Sequence, residues 1–305
     1  MCVTASWSPP HAPTTEMPGS AAHPHDRGVL PIVLAIGGSD SSAGAGVQAD
    51  LKTVAALGGY ARTVVTAVTA QHSGGVTAAW PVPTSTIEAQ LRAAYLDGPP
   101  AAVKTGMLAN REAVEATSQL LRELGARNLV VDPVVRSTSG ATLLDAAGVD
   151  ALRTLLLPLA ALVTPNAAEA ALLSGIAVET RADAIEAGRR ILALGVGAVL
   201  VTGGHLTSDL ATDILITAEG TQLFEGAYLD GPDVHGTGCA FASAIATRLA
   251  FGDALVDAIG TAKQYMAALI DVAFRSAPKG TGSAVMPDHL FAHFTPDAML
   301  SGKSR

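Results

Sequence analysis

Cysteine is almost missing from this chain: Cys2 and Cys239 are the two in 305 residues. Cys2 falls in a stretch without core-forming pattern, so a structural disulfide is not expected and a reducing cytoplasm is the simpler setting. Basic residues are also few, 19 Lys and Arg against 27 Asp and Glu for a net charge of −8. They form no basic run, which argues against a nucleic-acid or anionic-membrane surface. No apolar run approaches the length of a transmembrane helix. The first residues lack a basic start followed by an apolar block, so no secretory signal is expected. Two familiar phosphate-binding patterns are absent as well. The glycine spacing fits neither a dinucleotide fingerprint nor a P-loop with its Gly-Lys-Ser/Thr.

What remains is a chain that is 49% apolar and long enough for one large core. Residues 1–28 carry Pro9, Pro10, Pro13, Pro18 and Pro24 with His11, His23 and His25, and read as a solvated extension. From residue 29 to 275 short β-branched runs alternate with helical stretches. Strands are expected at 29–36, 64–69, 102–107, 129–135, 162–164, 198–202, 214–217 and 222–227. Helices are expected at 47–57, 87–95, 113–124, 147–157, 167–174 and 182–194, with two long ones starting near Cys239 and Asp253. This alternation predicts a single α/β domain with a mostly parallel central sheet and helices on both faces. Residues 276–305 are Gly- and Pro-rich and weakly patterned, with a short helix expected at 290–294. In such sheets ligands sit at the carboxyl ends of the strands, so the loops after strands carry the interest.

One loop stands out. Asp233-Val234-His235-Gly236-Thr237-Gly238-Cys239 breaks into a helix whose apolar positions Phe241, Ile245 and Leu249 recur every four residues. A glycine loop at a helix start presents unpaired backbone N–H groups and a positive dipole end, which suits an anion. A thiol there is expected to have its pKa pulled down toward neutrality. Four other loops carry polar residues. Residues 37–46 form a glycine-rich turn leading to Asp50 on the next helix. Gln71 closes a strand with a side chain that both donates and accepts. Asp132-Pro133 ends a strand with a carboxylate, Pro133 stopping the ladder. Asn166 stands three before Glu169, a capping pattern; with Asp132 the pair also offers oxygen ligands suited to Mg²⁺.

These motifs, in order from about residue 30 to 272, resemble the hydroxymethylpyrimidine/phosphomethylpyrimidine kinases of thiamine biosynthesis, members of the ribokinase superfamily. The carrying blocks are residues 35–53, 66–71, 104–108, 132–134, 164–166 with Glu169, 203–205 and 235–239. The resemblance implies a ribokinase-like fold, usually dimeric. It implies an enzyme that uses ATP and Mg²⁺ to phosphorylate 4-amino-5-hydroxymethyl-2-methylpyrimidine and then its monophosphate. The matching positions put the pyrimidine against Gly38, Asp50, Gln71, Met107 and Val134, with Asp50 and Gln71 bonding the ring substituents. Gly236, Thr237 and Gly238 match the anion hole, and Cys239 matches the position where many relatives carry an aspartate base. Asp132, Asn166 and Glu169 match the metal and triphosphate network, and Thr202 and Gly204 the nucleotide loop. The chain departs from the pattern at Thr202, where a lysine is common, and at Ala43 and His72. Pyridoxal kinase of the same superfamily and a non-catalytic pyrimidine-binding protein are the alternative readings.

Overall fold

A computed structural model describes residues 30–137, 140–203, 210–227, 231, 233–276 and 284–291. The expected extension at 1–28 and the expected helix at 290–294, beyond its first two residues, lie outside them. The elements follow as β1 (Ile32–Asp40), α1 (Gly46–Ala56), β2 (Tyr60–His72), β3 (Gly75–Pro81), α2 (Thr84–Leu96), β4 (Ala102–Thr105), α3 (Arg111–Glu123), β5 (Leu129–Val131) and α4 (Ala146–Ala151). Then come β6 (Leu162–Val163), α5 (Ala167–Ser174), α6 (Arg181–Leu192), β7 (Val199–Val201), β8 (Leu210–Ile216), β9 (Thr221–Ala227), α7 (Thr237–Ala250) and α8 (Leu255–Ser276). Nine strands make one sheet in the order β3-β2-β1-β4-β5-β6-β7-β8-β9. From β2 to β7 neighbours are parallel; β3 joins β2, β8 joins β7 and β9 joins β8 by antiparallel pairing at the two ends. The mostly parallel sheet with helices on both faces is therefore what the alternation predicted.

The central strands are buried on both faces, and their period of two splits the core cleanly. Leu34, Ile36, Val103, Leu129, Val131, Val163, Val199 and Val201 join one apolar cluster with residues of α2 to α6 such as Ile87, Leu121, Leu173 and Ile191. Val33, Ala102, Val130, Leu162, Ala198 and Leu200 join the other, with α7, α8 and Val54 of α1. Helix α7 is buried nearly all round in its middle and runs Ala240, Ala242, Ala244 and Ala246 through that cluster. Small side chains let it lie close beneath the strands, which fixes where its first turn points.

Two local expectations fail. The stretch 147–157 is not one α-helix: α4 stops at Ala151 and continues as a wide π-turn over Leu152–Leu156 and a 3-10 turn over Leu157–Leu159. Pro158, with no N–H to give, ends the run. The edge strand β3 was not expected. Its sequence, GVTAAWP, lacks strict alternation, and it exists by pairing antiparallel with β2 across a bulge at Ala70/Gln71. Strand β5 is also shorter than the expected 129–135, because Pro133 stops the ladder as its chemistry requires.

Candidate active site

The sheet order places β2 and β4 on either side of β1, so the chain reverses its winding direction between β1 and β4. A crevice forms there at the carboxyl ends, and a cavity of about 1840 Å³ opens on it. That is more than the several hundred Å³, about 300–1,000, of a one-ligand pocket. One end is lined by Gly38, Gln71, Met107 and Val134, the other by Thr202, Phe224, Lys263 and Phe274, with the start of α7 between them.

The pyrimidine-side expectations converge. Met107 packs against Gly38 so closely that a Cβ there would lie 2.9 Å from its Sδ. Thr66 Oγ1 donates to Met107 O at 2.5 Å and fixes that loop. Gln71 sits beside them, half-buried, at the end of β2.

Asp50 also lines the cleft. It was expected to bond the ring, yet it is fully buried and both carboxylate oxygens are engaged. Lys104 Nζ lies 2.9 and 3.1 Å from them, and Ser243 Oγ donates at 2.7 Å. Burial alone would lower the Lys104 ammonium, but Asp50, the Cys239 sulfur and Asp132 outweigh it and hold it above its ordinary value. Asp50 is thus the counter-ion of a buried lysine at the floor of the cleft, on the lining it shares with Gly38, Gln71, Met107 and Val134. Removing either partner would strand a buried charge, which typically costs about 3–5 kcal/mol.

Helix α7 begins as the sequence suggests. Gly236 is its N-cap at φ 77°, with no side chain capping the first turn. A Cβ at that position would fall 2.0 Å from Gly44 O, so only glycine satisfies both the left-handed backbone and the contact. The N–H groups of the first turn, Thr237 to Cys239, have no carboxylate or hydroxyl cap and border the cleft. The expected thiolate is corrected. Burial, with Asp132 and Asp50 nearby, pushes the Cys239 thiol up to about 12 against the pull of Lys104 and the Gly46 N–H. There it is a neutral thiol beside Asp132.

Asn166 and Glu169 form a full capping box at α5: Glu169 N donates to Asn166 Oδ1 and Asn166 N to Glu169 Oε2, both at 3.0 Å. Their oxygens nevertheless border the cleft with Asp132. Burial, together with the Asp132 charge, pushes the Glu169 carboxyl up to about 8. Asp132 Oδ2 is buried and accepts no hydrogen bond; the Lys104 ammonium is 3.8 Å away. Two carboxylates, one raised in part by the charge of the other and one with an orphaned oxygen, fit a divalent cation. Among the described residues no three His, Cys, Asp or Glu side chains form a closed metal cage, but Mg²⁺ commonly takes one or two carboxylates plus phosphate and water. Thr202 is tied by its N–H to Pro165 O at 2.9 Å, next to Asn166. Gly204 lies outside the described residues.

Asp40, Lys104, Ser243 and His235 were given no separate role on sequence grounds, yet all shape the site. The available signal was a lysine inside the apolar strand β4 and charged residues flanking glycine loops.

With that geometry described, comparison with known proteins is decisive. The family described as phosphomethylpyrimidine kinase matches residues 40–284. The chain belongs to the phosphomethylpyrimidine kinase family. The hydroxymethylpyrimidine/phosphomethylpyrimidine kinase of Streptomyces coelicolor is 43% identical over 252 residues, covering 83% of this chain and 92% of that protein. A thiamine biosynthesis bifunctional protein of Geobacter sulfurreducens is 44% identical over 260 residues, 85% of this chain and 52% of the relative, so the chain spans about half of its length. Among solved structures, Bacillus subtilis pyridoxal kinase in an ADP complex matches with a TM-score of 0.79 and 34% identity, over 87% of this chain and 100% of that one. Phosphomethylpyrimidine kinase from Clostridium difficile 630 matches with a TM-score of 0.71 and 38% identity, over 79% and 99%. The phosphomethylpyrimidine kinase family member described here is therefore an enzyme, a kinase of thiamine biosynthesis on a ribokinase-like fold. The reading as a non-catalytic pyrimidine-binding protein falls.

Proposed function

We propose that this enzyme transfers the γ-phosphoryl group of ATP to 4-amino-5-hydroxymethyl-2-methylpyrimidine, and then phosphorylates the resulting monophosphate to the diphosphate. The observation that carries the reading is the uncapped first turn of α7, whose N–H groups open on a cleft lined by Gly38, Gln71, Met107 and Val134 as well as by Thr202, Phe224 and Lys263. Phosphoryl transfer needs positioning and charge stabilisation more than covalent chemistry. Gly38, Met107 and Val134 would flank the ring and Gln71 would bond its edge. The acceptor oxygen forms its bond to the γ-phosphorus as the bond to the leaving ADP oxygen breaks. The N–H groups of Gly236, Thr237, Gly238 and Cys239 would face the negative charge spread over the transferring group. Cys239 would take the alcohol proton as a thiolate, a form open to it only when the charge of Asp132 beside it is offset. Asp132 and Glu169, with Asn166, would hold Mg²⁺, which supplies positive charge to the triphosphate.

The reading includes a cytoplasmic homodimer. The exposed cross-strand pair Val68 and Trp80, 48% and 58% accessible, supports a partner surface, and light scattering of the purified chain checks it. Among the described residues no helix is long and apolar enough to cross a membrane.

The test is ADP release coupled to substrate, run on the pyrimidine alcohol, on its monophosphate and on pyridoxal, with mass spectrometry of the products. Both pyrimidines should turn over. Pyridoxal is included because the Bacillus subtilis pyridoxal kinase fits so well. Efficient use of pyridoxal with no turnover of either pyrimidine would reverse the assignment.

A further inference from the structure

The polar atoms around Gln71 admit one consistent set of proton positions. His235 is buried at the entry to α7. Its Nε2 lies 2.9 Å from the terminal nitrogen of Gln71 and 3.1 Å from Asp40 Oδ2. Asp40 is an acceptor on every side: Oδ1 takes hydrogen bonds from Ser42 N at 2.8 Å and Ser42 Oγ at 2.7 Å, and Oδ2 takes one from Ala45 N at 2.8 Å. Burial would raise its carboxyl, but the bonds from His235, Ser42 and Ala45 prevail and hold it far below the usual range. Asp40 is a carboxylate and donates nothing, so His235 Nε2 carries a hydrogen toward it.

That hydrogen also faces Gln71. With the amide NH₂ turned toward His235, donor meets donor. The two ends of a glutamine amide have nearly the same shape, and the conflict disappears when the oxygen takes the position beside His235. The NH₂ then lies beside Thr69 Oγ1, which is 3.3 Å from the other terminal atom of the amide. Thr69 spends its own hydroxyl hydrogen on Ser39 O at 3.0 Å and so has lone pairs to offer. One Gln71 N–H remains for the cleft that Gln71 lines.

We infer that His235 is a specificity-determining positioning residue: with Asp40 it turns the Gln71 amide so that an N–H faces the cleft, which selects a ring that presents a nitrogen lone pair. The inference deepens the pyrimidine-kinase reading and rests on it. The imidazole cannot easily swing away. It packs against Gly44, where a Cβ would stand 2.4 Å from His235 Cδ2. Its backbone is held by His235 N donating to Val285 O at 3.0 Å, within a short parallel bridge between Val234 and Val285. One side chain thereby joins the loop after β1, the end of β2 and the loop before α7.

Two measurements test this. The first is ¹⁵N NMR of the histidines in the intact protein, assigned with His235→Gln; His235 should show Nε2 protonated. The second is kcat/KM for the aminopyrimidine alcohol against its 4-oxo analogue, whose ring carries N–H where the amino compound has a lone pair. The parent should prefer the amino compound by at least about tenfold, the scale of one buried hydrogen bond left unmade. In His235→Leu the amide is free to turn, and the preference should shrink to within about threefold, mainly through KM of the amino compound. In His235→Gln, which restores a donor near the Nε2 position, it should return. A ring protonated only at Nδ1, or a folded His235→Leu that keeps the full preference, would overturn the inference. A parent that phosphorylates neither compound would instead sink the pyrimidine reading, while the NMR result still decides the direction of the amide.

Discussion

At the scale of single residues, the site depends on groups whose charge the surroundings decide. Cys239 is the sharpest case. As a filler it would tolerate serine, which is nearly the same size. As the proton acceptor it would not, since a hydroxyl holds its proton far more tightly than a thiol. General-base contributions run to about 10²–10⁴-fold, so kcat of Cys239→Ser should fall at least a hundredfold while calorimetry finds both substrates still bound. Turnover within a few-fold of the parent would leave the catalysis to the anion hole and metal. Glu169 gives a second expectation with a definite sign. Its folded pKa of about 8 lies above the ordinary 4.5. Between those values the unfolded chain has lost a proton that the folded chain keeps, so stability falls as pH rises through the window. Glu169→Gln, which can still accept from Asn166 N, should therefore gain in Tm over the parent as pH climbs from 5 to 8. A gain that does not change with pH would mean that Glu169 is ionised in the fold. Sequence reading singled out Cys239, Gln71 and Glu169 as polar residues in or beside loops, and the structure places all three on the lining of the cleft. It misjudged the Cys239 thiol because its burial and its neighbours Asp132 and Lys104 are set by tertiary packing that no local pattern carries.

At the scale of elements, α7 is the part that converts sequence into a site. Its glycine entry and its unpaired first-turn N–H groups were visible in the order of residues; that its middle, Ala240–Thr247, is buried all round rather than along one apolar face was not. Gly236→Ala tests the entry. A left-handed φ in a non-glycine residue costs of order 1–3 kcal/mol, and here the new methyl also meets Gly44 O. The variant should melt several degrees lower, as circular dichroism would record, and lose most of its kcat because the first-turn N–H groups shift. A variant with parental Tm and kcat would show that the loop yields without consequence. The edge strand β3 was invisible for the opposite reason. Strand pairing with β2 supplies what its Gly- and Ala-rich composition does not, and composition is all that a sequence window measures. The split of the 147–157 stretch into α, π and 3-10 turns is likewise a matter of how leucines fit the core around Pro158.

At the scale of the whole molecule, one cleft holds two ends lined by different elements: β2, β4 and the loop after β5 on one side, and β9 with α8 on the other. A ligand that binds only the folded state stabilises it by about 2.7 kcal/mol at a hundred times its Kd. Pyrimidine and a non-hydrolysable ATP analogue should each raise Tm, and together by about the sum if the two ends are separate. A combined shift no larger than either alone would mean that they compete for the same space. The same architecture also sets an order of events at the ribosome. The face of the sheet carrying Val33, Ala102, Val130 and Leu162 is covered by α7 and α8, and these helices occupy residues 237–276, near the end of the chain. At about 5–20 residues per second, the strands wait from about a few seconds to a few tens of seconds for the helices that will hide them. Throughout that interval the growing chain carries a bare aliphatic surface and no anion hole, so it is sticky before it is active, and a chaperone that shields it has until the last helix emerges to let go.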